Sequence, residues 1–167
     1  FLLKNFSQNI LINTILISSA LYLFFITVRE LIKKKYKNIS QNISHFGFSL
    51  LILSILFNNL FSSEVITNLK VGETFENSKT KIFFESTEQK KEKNYNAITA
   101  NFSISNSSGV VDRFSPELRI YNQPVIATSE ADIKTTLISD KFIVINLVQN
   151  QDFFNVRYQV KPFMLWI

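Results

Sequence analysis

His45 is the only histidine in the chain and the residue with the most specific chemistry. It lies in the run Ser44-His-Phe-Gly47, at the start of an apolar stretch. A neutral imidazole is a good axial ligand for haem iron, and a glycine two residues later leaves room for a neighbouring helix or a flat ring. An interfacial histidine hydrated by water or lipid head groups explains the pattern equally well, so both interpretations stay open from the residues alone.

The composition excludes several other kinds of site. The 167 residues include no Cys and one His, so this chain alone cannot build a thiolate zinc site, a cysteine nucleophile or a multi-histidine metal site. The carboxylates of Asp112, Glu117, Glu130 and Asp132 could pair, although surface carboxylates on loops are the more common outcome. An external hydrolase is disfavoured because the region after residue 63 has no histidine to activate a serine.

Two apolar stretches within residues 1–63 predict two transmembrane helices, at about 10–28 and 43–61. The first is long enough to cross a bilayer core, and it is not a signal peptide because the basic cluster follows it. The second contains Asn58 and Asn59, which are costly in lipid and should face protein or the interface. A buried helix of a soluble protein is the alternative for this second stretch.

The positive charge predicts the orientation of these helices. The formal net charge is +5, and the whole excess lies within residues 1–63, mostly in the loop at 33–37. By the positive-inside rule this loop faces the cytoplasm or the mitochondrial matrix, and residues from Glu64 onward lie on the far side. Membrane lipid head groups could also bind the loop. No nucleic acid partner is expected, because the basic residues are not spread over a folded face.

Residues 64–160 predict an all-β soluble domain, an antiparallel barrel or sandwich. Apolar and polar residues alternate along 98–104 and 154–160, and 142–147 is apolar almost throughout, as in a central strand. We expect roughly seven to nine short strands. The finer expectations are a solvated loop at 88–94, a turn at 106–109, a helical turn within 129–140, and the start of a further transmembrane helix at 161–167. Since the chain does not begin with methionine and ends in an apolar run, we expect a piece of a longer protein.

Five short motifs occur in a fixed order along the chain. They are Ser44-His-Phe-Gly47, Asn94-Tyr-Asn-Ala97, Pro116-Glu-Leu-Arg-Ile-Tyr121, Thr128-Ser-Glu-Ala-Asp-Ile133 and Val156-Arg-Tyr-Gln-Val-Lys-Pro-Phe-Met-Leu-Trp-Ile167. Together they resemble one family, the CcmF family of cytochrome c-type biogenesis proteins. The resemblance covers nearly the whole chain and corresponds to the carboxy-terminal third of that family. The Lys-Pro-Phe ending is its most specific element.

The resemblance implies a subunit of a cytochrome c haem lyase. Such a protein spans the bacterial or mitochondrial inner membrane several times and places its β-domain on the periplasmic or intermembrane-space side. It takes haem from the haem chaperone CcmE and attaches it to apocytochrome c, together with CcmH-type partners. The resemblance further implies that His45 is an axial iron ligand of a structural haem b.

The sequence departs from the family in ways that limit this segment. The tryptophan-rich loop that holds the incoming haem is missing here, and Trp166 is the only tryptophan. The second transmembrane ligand and the external haem-binding histidines are also missing, so the segment is not catalytic alone. The alternative function is a non-enzymatic, membrane-anchored β-domain that acts as a scaffold or transporter accessory, with His45 incidental.

Overall fold

The computed structural model describes residues 10–33, 39–106, 109–148 and 152–167, and within them two helices precede a set of β-strands. This order confirms the predicted fold class of two apolar helices followed by an antiparallel β-sandwich. The chain divides into two compact units, one with both helices plus residues 137–139 and 161–167, the other with the remaining strands. The elements are helices α1 (Ile10–Ile32) and α2 (Ile39–Phe61), strands β1 (Ser63–Leu69), β2 (Thr74–Glu76), β3 (Thr80–Lys91), β4 (Tyr95–Asn106), β5 (Val111–Phe114), β6 (Glu117–Asn122), β7 (Val125–Glu130), β8 (Asp132–Thr135), β9 (Ser139–Leu147) and β10 (Phe154–Pro162), and a 3-10 helix (Met164–Trp166).

Both helices are long and apolar enough to cross a bilayer. A helix suits that environment because its backbone groups are satisfied within the segment. The helices extend beyond the predicted spans, since α1 continues through Arg29 and Glu30 to Ile32, where Lys33 lies 3.5 Å from the Glu30 carboxylate. The remainder of the basic loop, residues 34–37, lies outside the described residues.

The two helices pack through small side chains. Ala20 and Thr27 are buried on α1, and Ser49, Leu53 and Ser54 are buried on α2. Small residues let two backbones approach closely, which is the main source of helix association in lipid. Large side chains also contact each other between the helices, where the rings of Phe24 and Phe46 lie 5.6 Å apart.

The sandwich contains two antiparallel sheets. One has the strand order β1-β10-β9-β8, and the other has the order β2-β3-β4-β6-β7. Strand β4 is long enough to pair with β3 along one side and with both β5 and β6 along the other. Consecutive strands β1 and β2, and again β7 and β8, belong to different sheets, so the chain changes sheet at these two places.

The core of the sandwich forms from the alternating residues that the sequence predicted to face inward. Phe102 and Ile104 of β4 and Val156 and Tyr158 of β10 are all 2% exposed or less. Phe102 stacks on Phe84 of β3 with ring centroids 4.4 Å apart. Burial of each such side chain stabilises the fold by about 1.5 to 3 kcal/mol, before the cost of ordering it.

Three finer predictions about the strands were wrong. The described residues contain ten strands, whereas seven to nine were expected. The predicted loop at 88–94 is mostly strand, because β3 continues to Lys91 and pairs with β4 as far as Asn96. The helical turn predicted within 129–140 is absent from those residues, which hold the end of β7, all of β8 and the start of β9. Pairing with a neighbouring strand outweighs local propensity in both segments.

Two further predictions, the turn at 106–109 and the helix start at 161–167, are tested only in part by the described residues. Residues 107 and 108 of the predicted turn lie outside the described residues, but Gly109 donates its N–H to the Asn106 carbonyl at 2.9 Å and has a φ of 76°. That positive φ is accessible to glycine without steric cost. Within 161–167, strand β10 ends at Pro162 and a 3-10 helix follows, so the further transmembrane helix stays a prediction.

Candidate functional site

His45 lies in the second turn of α2 with its side chain exposed. The amide nitrogen of Gln41, one turn earlier, lies 3.4 Å from Nε2 of His45. The amide donates to this nitrogen when the imidazole carries its proton on Nδ1. In that tautomer Nε2 is an acceptor, which is also the form in which an imidazole binds a metal.

One side of α2 carries exposed residues along its length. We call this set the open face of α2; its positions recur every three, four or seven residues and therefore line one side of the helix. Gly47 lies on a different side of α2, because residues two apart in a helix point about 160° away from each other. The exposure of the open face itself leaves the His45 imidazole accessible to a flat group or another helix. Its members are Gln41, His45, Phe48, Ile55 and Asn59.

The two asparagines at the end of α2 have different surroundings. The side-chain amide of Asn58 is partly buried and donates to the Pro162 carbonyl at 2.8 Å, with the Met164 sulfur 3.8 Å away. Asn59 is exposed on the open face. A polar side chain in a span is tolerated when a partner satisfies it, so Asn58 meets the predicted requirement of facing protein.

The Lys-Pro-Phe ending is held by contacts within the same compact unit. The rings of Phe57 and Phe163 lie 5.5 Å apart, and the Phe163 N–H donates to the Ile138 carbonyl at 2.6 Å. The Trp166 indole N–H donates to the Leu137 carbonyl at 2.7 Å. Phe163 itself has a φ of 58°, a region that costs a bulky residue energy unless its surroundings fix it. The ending therefore adopts a defined, locally strained turn at the end of α2.

The motifs Asn94–Ala97 and Pro116–Tyr121 come together on the larger sheet with the first three residues of Thr128–Ile133, whose last two residues belong to β8 of the other sheet. Tyr95 of β4 pairs with Tyr121 of β6, with ring centroids 5.4 Å apart. The Arg119 guanidinium lies 5.2 Å from the centre of the Tyr95 ring. It also lies 2.9 Å from the Glu117 carboxylate and 3.9 Å from that of Glu130. We call these five residues the Arg119 cluster.

The surroundings of Arg119 in this cluster stabilise the charged form of its guanidinium group. The hydrogen bond to Glu117 raises the pKa of Arg119 above its ordinary value, with smaller contributions from Tyr121 and Tyr95, whereas burial acts in the opposite direction. The arginine thus stays charged and holds the neighbouring carboxylates in place. From the sequence, Glu117 and Glu130 were predicted only as carboxylates that could pair. The cluster itself was not predicted, because strand register decides which distant residues meet.

The other candidate carboxylates have partners of their own. The Asp112 carboxylate lies 2.6 Å from the Lys141 ammonium, and Asp132 accepts the Ser115 N–H at 2.7 Å. Among the described ranges, no group of three or more His, Asp or Glu side chains is placed to hold a metal ion. The contacts of Asp112 and Asp132 thus join segments that are distant in the sequence.

The hydroxyl of Tyr158 is buried next to the Asp112–Lys141 pair. It makes no hydrogen bond to the residues that the structure describes, and the side chain is only 2% exposed. Burial, and to a smaller extent the Asp112 charge, raises the pKa of Tyr158 to about 12. The phenol therefore stays protonated inside the sandwich at any physiological pH.

Comparisons with known proteins agree with this architecture. A family model described as the CcmF C-terminal β-sandwich matches residues 60–162. The cytochrome c-type biogenesis protein Ccl1 of Rhodobacter capsulatus is 35% identical over 104 residues, which are 62% of this chain and 16% of that protein. The cytochrome c-type biogenesis protein CcmF of Haemophilus influenzae is 25% identical over 144 residues, 86% of this chain and 22% of that protein. The matched part is thus a small fraction of each relative.

A solved structure, Cytochrome c Heme Lyase CcmF, has the same fold. It superposes with a TM-score of 0.60 at 18% sequence identity, over 86% of this chain and 25% of that one. The family match covers both ends of the sandwich, from the last turn of α2 to the end of β10. On this coverage, the chain belongs to the CcmF family of cytochrome c-type biogenesis proteins.

Proposed function

We propose that this chain is the membrane-and-sandwich part of a haem lyase subunit in which His45 is an axial ligand of a structural haem b. The subunit takes haem from the haem chaperone CcmE and attaches it to apocytochrome c, with a CcmH-type partner. The observation that carries the proposal is the position of the only imidazole of this chain, which is exposed on the open face of α2. Family membership supplies the context.

The residues around His45 fit an iron ligand. Metal binding through Nε2 requires a lone pair on that nitrogen, and the position of the Gln41 amide nitrogen is compatible with the tautomer that has one. Gln41 is exposed and only weakly bonded at 3.4 Å, so it can turn away at little cost. A bound haem supplies a one-electron iron centre that can reduce an incoming haem. The single histidine provides one axial position, and the second ligand comes from outside this segment.

The proposed topology places the basic loop and the sandwich on opposite sides of the membrane. The basic loop after α1 lies on the cytoplasmic or matrix side of an inner membrane, and the sandwich lies on the periplasmic or intermembrane-space side. The sandwich then faces the compartment in which the apocytochrome receives haem. The Arg119 cluster, rich in tyrosine and arginine, provides side chains of the types that dominate protein interfaces.

The ligand role is tested by the absorbance of the full-length protein in detergent. We expect a Soret band in the wild type and its loss or marked weakening in His45→Ala. The His45→Gly variant should regain the band when imidazole is added, because free imidazole can occupy the vacated position. Ser44→Ala is the matched control, since its exposed hydroxyl bonds only the Ser40 carbonyl of its own helix.

Two outcomes would count against this proposal. An unchanged Soret band in His45→Ala would remove His45 from the iron. A wild-type protein that purifies colourless, even after haem is supplied, would favour the membrane-anchored scaffold instead.

A further inference from the structure

The connection between β8 and β9 exposes two large apolar side chains. It consists of Thr136, Leu137 and Ile138, and the exposed fractions of the last two are 70% and 66%. No charged residue lies between Lys134 and Asp140. Turns that face water usually contain Gly, Pro, Asn, Asp or Ser, and this connection contains none of them. Leu137 and Ile138, which we call the β8–β9 tip, therefore do not have the composition of a water-facing turn.

The β8–β9 tip belongs to the compact unit that contains both apolar helices. The Phe163 N–H donates to the Ile138 carbonyl at 2.6 Å, and the Phe163 ring lies 5.5 Å from that of Phe57, one turn before the end of α2. The Trp166 indole N–H donates to the Leu137 carbonyl at 2.7 Å. These contacts fix the tip beside the carboxy-terminal end of α2.

The end of α2 lies close to the surface of a bilayer that this helix crosses. Its 23 residues are about 34 Å long, whereas a hydrocarbon core is about 30 Å thick. The amide of Asn59, which is exposed in the last turn, suits this boundary. A tip that is held beside this turn therefore lies at the depth where acyl chains meet head groups.

Both carbonyls of the β8–β9 tip are hydrogen-bonded within the protein. An irregular segment enters lipid only at a high cost when its polar groups lose water and find no other partner. The carbonyls of Leu137 and Ile138 already accept hydrogen bonds from Trp166 and Phe163. The two side chains that would enter with them have no polar atom. These two carbonyls and side chains therefore add little of the usual penalty for entering lipid.

The size of the exposed side chains favours lipid over another helix as the partner. Helices in lipid contact each other through small residues, as α1 and α2 do through Ala20 and Ser49. The tip, the 3-10 helix that contacts it and the end of α2 instead expose large side chains of the kinds that enter the boundary between head groups and acyl chains. They are Phe61, Leu137, Ile138, Met164, Leu165 and Trp166, each at least 43% exposed.

We propose that the β8–β9 tip inserts into the lipid bilayer beside the end of α2, with Leu137 and Ile138 among the upper parts of the acyl chains. The partner is lipid, and the contact is apolar. The connection between two strands is then an attachment to the membrane in addition to the covalent link through α2. The inference depends on the crossing of the membrane by α2 and is independent of whether His45 binds haem.

The test uses the full-length protein in phosphatidylcholine vesicles, with a fluorescent label on an introduced cysteine. The 167 residues contain no cysteine, and wild-type protein carried through the same labelling gives the background from the rest of the protein. Leu137→Cys is compared with Val125→Cys, because Val125 is also exposed, at 81%, and belongs to the other compact unit. Each label is quenched in turn by a doxyl group near the head of the lipid acyl chain and by iodide on both sides of the vesicle.

We expect the lipid quencher to act at least about twofold more strongly on the Leu137→Cys label than on the Val125→Cys label, and iodide to show the reverse order. Moving the doxyl group to the end of the acyl chain should weaken the quenching, because the tip is shallow. Ile138→Cys should behave like Leu137→Cys, since both side chains insert.

Two results would overturn the inference. Equal quenching of the Leu137→Cys and Val125→Cys labels, by either agent, would mean that the tip has no particular contact with lipid. Labels at 137 and 138 that neither agent reaches would mean that another part of the protein covers the tip. Both results leave the proposed role of His45 unaffected, because that role is tested by the Soret band.

Discussion

The helix pair and the sandwich bury opposite kinds of side chain. In the helix pair the buried residues are mostly small, such as Ala20 and Ser49, while large side chains such as Tyr22 and Phe25 are 70% and 64% exposed. In the sandwich the largest buried residues are Phe84, Phe102 and Phe114. The sandwich follows the usual rule for a protein in water, and the helix pair does not.

The difference shows which solvent each region is built for. Water drives large apolar side chains inward, and burial is worth about 25 cal/mol per Å². Lipid tails are as apolar as leucine, so helices in lipid gain little by hiding such residues and associate through close contact instead. The exposed Phe and Ile side chains of α1 and α2 thus fit a bilayer.

The largest expected effect is loss of a core ring from the sandwich. Phe102→Ala should lower the free energy of unfolding of the sandwich by about 3 to 5 kcal/mol, because it removes a ring stacked on Phe84 and leaves a cavity. Hydrogen exchange of the β3 and β4 amides measures the change. Phe83→Ala, on a residue already 37% exposed, is the control and should cost about 1 kcal/mol or less. Similar losses in both variants would show that the interior is not packed as described.

The buried phenol gives the sandwich a dependence on alkaline pH. The pKa of Tyr158 is about 12 in the folded chain and 10.0 ordinarily, so between these values only the unfolded state has lost the proton. Stability is therefore complete below pH 10 and falls as the pH rises towards 12, by on the order of 2 kcal/mol. Tyr158→Phe should remove this contribution and keep the ring contact with Phe114. Urea unfolding at several pH values tests this, and an identical slope in the two proteins would contradict it.

At neutral pH the same variant should be as stable as the wild type or slightly more stable. The phenol oxygen makes no hydrogen bond to the described residues, so its removal relieves the cost of burying an unpaired polar group. A large loss at neutral pH would mean that the hydroxyl has a bonding partner.

The smallest expected effect is at the end of α2. Asn58→Leu removes the hydrogen bond to the Pro162 carbonyl and should destabilise the Lys-Pro-Phe turn by about 1 kcal/mol. Trp166 is the only tryptophan of these 167 residues, so in a protein limited to them its fluorescence reports on this turn, and a soluble quencher should reach it more readily in the variant. The neighbouring exposed residue supplies the control, Asn59→Leu, which should leave quenching unchanged. Equal quenching in Asn58→Leu and the wild type would argue against the turn.

Features that depend on residues close together in the chain could be predicted from the sequence. The alternation along β10 predicted which residues face inward, and Val156 and Tyr158 are buried as expected. The uncharged stretches predicted both helices. In each case the information lies in a local period, two residues for a strand and 3.6 for a helix.

Features that depend on pairing between distant segments could not be predicted. Arg119 meets Tyr95 only because β6 lies beside β4 in one particular register. The charged residues 88–91 resembled a loop locally, but β4 holds them in a strand. The position of β7 at the end of the larger sheet also follows from strand order. His45 could be singled out from composition, whereas its exposed side chain and its contact with Gln41 required coordinates.

The hydroxyls of Thr27, Ser49 and Ser54 return to carbonyl oxygens of their own helices. At these positions the contact between α1 and α2 therefore depends on the fit of the two surfaces and not on a bond that joins them. None of these three hydroxyls ties the helix that carries His45 to its neighbour, so at these positions the relative placement of the pair rests on close packing alone.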